Sequence, residues 1–81
     1  MVTVEYDDHF CKVISNLDNS YKIRVKKQIR KIVSYPLIGK PMKRNRKGTR
    51  ELYVSPFRLS YIYNESTDSI LFLDFYHKDE Q

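Results

Sequence analysis

The sequence predicts an α+β fold: an N-terminal strand, a helical hairpin, then a three-strand antiparallel meander. All strands belong to one sheet, with the helices packed on one face. Three observations predict it. Apolar residues recur at helical spacing between positions 10 and 33. After position 50 the pattern changes to period two. The turns between elements are short and polar, which makes consecutive elements antiparallel neighbours.

Residues 2–6 (VTVEY) alternate β-branched or aromatic with polar side chains and suit a strand. Asp7 or Asp8 can cap the helix that follows, because a short carboxylate accepts from the free N–H groups of the first turn. Phe10, Val13, Ile14 and Leu17 share one face of that helix. Asp18, Asn19 and Ser20 form a turn and supply the next cap. The second helix carries Tyr21, Val25, Ile29, Ile32 and Val33 on one face and a run of lysines and arginines on the others. Pro36 stops it, since the residue before proline avoids the helical region. Residues 37–48 show no periodicity, and Gly39, Pro41 and Gly48 mark them as a basic loop. Leu52 and Val54 belong to a strand, Ser55 and Pro56 to a turn, and 57–63 (FRLSYIY) to a second strand. Here Arg58, Ser60 and Ile62 alternate against Phe57, Leu59, Tyr61 and Tyr63. After the polar loop 64–68, residues 69–76 (SILFLDFY) form a third strand, apolar enough to lie inside the sheet.

A chain of 81 residues is expected to form a single domain, 1–81. So small a domain buries about 60–65% of the surface its unfolded chain exposes. The core must therefore be rich in large side chains, and seven Tyr and four Phe supply them. With two Gly and three Pro, this is not the composition of a linker or a disordered chain. No stretch reaches the roughly 18 apolar residues that span a membrane, so no membrane association is expected. The first residues lack the basic-then-apolar pattern of a signal peptide. Cys11 is the sole cysteine, so no internal disulfide forms. Together these predict a cytoplasmic protein.

The net charge is +5, and its distribution says more than its size. Of the 15 Lys and Arg residues, 12 fall between positions 22 and 50, uninterrupted by Asp or Glu. Segregated charge of this kind makes a positive surface suited to a polyanion.

Four phrases in this order resemble the RelE/ParE superfamily of toxins from type II toxin–antitoxin systems. They are Gly39-Lys40-Pro41-Met42-Lys43, Gly48-Thr49-Arg50-Glu51-Leu52, the strand 57–63, and Tyr76-His77-Lys78-Asp79. The resemblance covers nearly the whole chain. It implies the same α+β architecture, a neutralising antitoxin protein as partner, and a heterotetramer with that antitoxin. It also implies one of two activities: ribosome-dependent cleavage of mRNA, as in RelE-like mRNA interferases, or inhibition of DNA gyrase, as in the ParE branch. A non-catalytic basic RNA-binding module is a third reading of the same charge pattern. The ribosome and mRNA are the partners expected under the leading reading.

Cutting RNA without a metal requires a base for the 2′-OH, a cation for the charged phosphorane and an acid for the leaving 5′-oxygen. One Cys and two separated His residues form no metal-ligand set, so no metal and no cofactor are expected. Arg58 is the leading catalytic candidate. It is a charge inside an apolar strand, a guanidinium fork matches phosphate oxygens, and the resemblance places the phosphate-binding arginine here. His77 is the second, because imidazole titrates near neutrality, with Tyr76 and Lys78 as neighbours that could share its role. Glu51 is a candidate base. Lys40, Lys43, Arg44, Arg46, Lys47 and Arg50 are expected to contact the RNA or ribosome backbone, which positions a protein without reading sequence. The chain departs from the family pattern at three positions. Glu51 and Tyr53 stand where RelE-type enzymes have basic residues, and Met42 stands where another branch has a glutamate.

Overall fold

Five strands form a single sheet in the computed structural model, which describes residues 2–43 and 47–80. In chain order the elements are β1 (Thr3–Tyr6), α1 (Asp8–Ser15), α2 (Asn19–Ser34), β2 (Lys40–Pro41), β3 (Arg50–Val54), β4 (Phe57–Asn64) and β5 (Ser69–His77). A closing 3₁₀ turn follows at Lys78–Glu80. The strand order is β1-β5-β4-β3-β2. The three long C-terminal strands form the expected antiparallel meander. β1 pairs parallel with β5, which places β5 inside the sheet. The two-residue β2 stands where the sequence predicts only a loop, and it pairs antiparallel with β3.

The helices begin where short carboxylates can cap them. Asp7 accepts from the His9 N–H at 3.0 Å. Asp18 accepts from the Tyr21 N–H at 3.2 Å and from the Ser20 hydroxyl at 2.8 Å. These two bonds, the Ser20 one foremost, hold the Asp18 carboxyl below its usual range. Both helices cover the same face of the sheet. Phe10 of α1 meets Phe72 of β5 with ring centroids 5.7 Å apart, and Tyr21 of α2 meets Phe57 of β4 edge-on at 5.1 Å. Val25, Ile32, Leu59, Tyr61 and Phe72 are wholly buried in the core between the layers. Each large apolar side chain buried this way contributes about 1.5–3 kcal/mol.

Two local features set the geometry of the opposite face. A β-bulge between Ser60 and Tyr61 shifts the β4–β5 register, so that Arg58 lies across from Tyr76. The second feature is the Tyr61 hydroxyl, which donates to Pro36 O at 2.7 Å and accepts from the Gly39 N–H at 2.9 Å. Burial raises the pKa of this hydroxyl, keeping it a donor. A Cβ at Gly39 would lie 2.6 Å from that oxygen, so the close approach requires glycine. The link from α2 into β2 is thereby pinned to the core, and Lys40 follows directly from it.

Candidate functional site

Alternation along β4 turns Arg58 away from the helix layer, toward the uncovered face of the sheet. Glu51 of β3 and Tyr76 of β5 share that face. Tyr76 pairs directly with Arg58, and Glu51 pairs with Ser60, two residues along the same strand. The Glu51 carboxylate is the chemical centre of the group. It is 4% exposed, and its Oε1 lies 3.5 Å from the Arg58 Nη1. The Tyr76 hydroxyl donates to its Oε2. A buried carboxylate is tolerable only with such partners, because transfer from water without them is costly. The Arg58 Nε is buried and has no hydrogen-bond partner among the described residues.

These groups stand beside a cleft of about 520 Å³, within the range of small-molecule sites. Arg58 and Glu51 line it together with Lys40, Met42, Lys43 and Tyr53. All three positions at which the sequence departs from the family pattern, Met42, Glu51 and Tyr53, therefore line one cleft with Arg58. The cleft combines a guanidinium, a carboxylate and two ammonium groups. That set can bind a phosphodiester and accept a proton from a neighbouring hydroxyl.

The remaining sequence candidates are distributed differently. His77 does not join Arg58. It pairs with Phe57 and contacts that ring edge-on at 5.6 Å, on the face that carries the helices. Its Nδ1 accepts from the Asp79 N–H at 3.2 Å and lies 3.6 Å from the Asp79 carboxylate. Adjacent residues on a strand point to opposite faces, so Tyr76, and not His77, accompanies Arg58. Lys78 is exposed in the closing 3₁₀ turn, and its N–H donates to Pro56 O at 3.0 Å. Arg50 is engaged within the fold, its Nη1 donating to Gly39 O at 2.8 Å and Leu37 O at 3.2 Å. Lys47 is exposed beside Gly48, whose φ of +96° forms the turn into β3. Arg44 and Arg46 lie outside the described residues. The basic stretch is thus divided. Lys40 and Lys43 line the cleft, whereas Arg24, Lys26, Lys27, Arg30 and Lys31 are exposed on α2, in the helix layer on the other side of the sheet.

A second recess, of about 400 Å³ and mainly apolar, opens between the helices beside β1. Tyr6, Phe10, Ile14, Val25 and Ile29 line it, with Lys22 and Lys26 alongside. No group of three or more potential metal ligands exists among the described residues. No helix among them is long and apolar enough to cross a membrane.

No protein-family model and no curated protein sequence matches the chain. Solved structures do match it over nearly its whole length. A RelBE toxin–antitoxin complex from Mycobacterium tuberculosis contains a chain that superposes with a TM-score of 0.84 at 22% identity, covering 94% of this chain and 96% of that one. The intact RelBE toxin–antitoxin complex of E. coli gives 0.79 at 16% identity, covering 93% and 94%. YafQ from an E. coli strain gives 0.81 at 15% identity, covering 99% and 97%. The chain has the fold of the RelE-like toxins.

Proposed function

We propose that this chain is the toxin of a toxin–antitoxin pair and that it inhibits translation by cutting mRNA on the ribosome without a metal. The observation that carries the reading is the Arg58–Glu51 pair in a lysine-lined cleft on the uncovered sheet face. In this reading the Arg58 guanidinium holds the scissile phosphate and stabilises the negative charge that builds on it. Such stabilisation usually contributes more than any other single effect to this kind of catalysis. The Glu51 carboxylate takes the proton of the attacking 2′-OH, and Tyr76 orients that carboxylate through its hydrogen bond. Lys40 and Lys43 stand at the cleft to hold flanking phosphates and to protonate the leaving oxygen. His77 and Lys78 lie away from the cleft, and this reading gives them no step in the chemistry.

The partner in this reading is an antitoxin, as in the two RelBE complexes that share the fold. The recess between the helices suits an amphipathic segment, with Lys22 and Lys26 placed to meet its acidic residues.

The test is expression of the chain in bacteria, followed by primer extension on cellular mRNA. Discrete new 5′ ends within codons, absent with Arg58→Ala, support the reading. Growth arrest with intact mRNA and altered DNA supercoiling would assign the chain to gyrase inhibition instead.

A further inference from the structure

We propose that the cleft is a nucleotide subsite, in which the Tyr53 ring stacks on a base while Arg58 holds the adjoining phosphate of single-stranded RNA. This rests on the RNA reading above and adds to it the recognition of a base.

Tyr53 is 52% exposed, although Glu51 and Val54 on the same strand are 4% and 3% exposed. An exposed tyrosine on an antiparallel sheet is ordinary by itself. Its placement is what carries the inference. Tyr53 is the direct cross-strand partner of Arg58, and paired residues present their side chains on one face, with Cβ atoms about 4.5–5.5 Å apart. A flat π-surface and a guanidinium at that spacing lie within the reach of one nucleotide. Both line the cleft, together with the apolar side chains of Ile38, Pro41 and Met42 and the cations Lys40 and Lys43. Apolar surface beside an aromatic ring suits an unstacked base, and the cations suit the backbone that carries it. The Tyr53 hydroxyl lies 3.4 Å from Ser55 Oγ, a weak tether that holds the ring tip toward the β3–β4 turn. Tyrosine also has few rotatable bonds, so little freedom is lost when a base settles on it.

Single-stranded RNA is recognised by this combination, with bases splayed onto aromatic side chains and phosphates on basic ones. An acidic peptide would satisfy Arg58 and the lysines but would leave the Tyr53 ring without a stacking partner.

The experiment uses the full chain, purified alone, and a short fluorescent single-stranded RNA at low salt. Binding is compared with that of an abasic strand of equal length, for the wild type, Tyr53→Ala, Tyr53→Phe and Arg58→Ala. Circular dichroism confirms that each variant is folded. Tyr53→Ala is expected to weaken binding of the normal strand roughly 5- to 150-fold, the value of one stacked base, and to leave the abasic strand unchanged. Tyr53→Phe should bind like the wild type, since the ring and not the hydroxyl stacks. Arg58→Ala should weaken both strands. Equal binding of normal and abasic strands by the wild type overturns the subsite while leaving the RNA reading intact. If neither strand binds and the ribosome does not bind either, the RNA reading falls and takes the subsite with it. If an acidic peptide binds with a Tyr53-dependent affinity and RNA does not, the cleft belongs to a protein partner and the proposal is wrong.

Discussion

Replacing Arg58 with alanine should have two separable effects, and a second substitution distinguishes them. The Glu51 side chain is 2% exposed, so its carboxylate depends on the guanidinium 3.5 Å from it and on the Tyr76 hydroxyl. Removing one partner of a fully buried pair costs about 3–5 kcal/mol. The Arg58 side chain is 35% exposed, which lets solvent screen the pair, and the Tyr76 hydroxyl still donates to the carboxylate. A loss of about 1–2 kcal/mol follows from discounting that range for the screening and the surviving hydrogen bond. In a chain of this size it lowers the melting temperature by roughly 5–15 °C. Arg58→Ala should also reduce cleavage by about 10²–10³ through loss of charge stabilisation at the phosphate. In the Arg58→Ala/Glu51→Gln double variant the buried charge is gone, and the amide can still accept from Tyr76. Stability should return to within about 0.5 kcal/mol of the wild type, while toxicity should not return, because this variant lacks both the phosphate-binding guanidinium and the base. Urea melts and growth assays at matched expression measure both quantities. An Arg58→Ala variant with unchanged stability would show that the ion pair carries no energy. A double variant that regains toxicity would show that neither Arg58 nor Glu51 takes part in the chemistry.

Three further outcomes are expected. Tyr61→Phe should cost about 1–3 kcal/mol in urea melts, because the buried Gly39 N–H loses its acceptor and the part-buried Pro36 O loses its donor. Ribosome affinity should fall steeply with salt. Lys40→Gln and Lys43→Gln should each flatten that dependence, whereas Arg50→Gln should lower stability instead, since its guanidinium is engaged by Leu37 O and Gly39 O. Asp18 titrates lower in the fold than its ordinary value of 3.8, so its cap supports the folded state above that pH and is lost as pH falls through the lower folded value. Asp18→Asn should therefore flatten the acid limb of the stability curve.

Most of the architecture is legible in the sequence because the elements that build it are periodic and long. Phe10, Val25, Ile32 and Leu59 are marked by spacing alone and lie in the core. β2 is not legible, because two residues carry no period. Its existence depends instead on a long-range contact, the Tyr61 hydroxyl drawing in Gly39. The site is legible in part. Arg58 stands out as a charge within an apolar strand, and Glu51 as a carboxylate in a basic context. The expected association of His77 with Arg58 fails for a reason that sequence does not encode simply. Counting outward from the Asn64–Ser69 pair, a regular hairpin sets Phe75 across from Arg58. The bulge at Ser60/Tyr61 moves the register by one residue and sets Tyr76 there instead. Contiguous charge is also a poor guide to contiguous surface, since the basic stretch between positions 22 and 50 divides between α2 and the cleft on opposite sides of the sheet.

The central claim is tested most directly with purified components. The chain is added to ribosomes programmed with a 5′-labelled mRNA that places one defined codon in the A site, and the product is sized and its new 3′ end identified. A single cut within that codon is expected, leaving a 2′,3′-cyclic phosphate. Little cleavage of the same RNA is expected without ribosomes, and cleavage about 10²–10³ slower with Arg58→Ala. Full-length mRNA after prolonged incubation with a folded, ribosome-bound wild-type chain would contradict it.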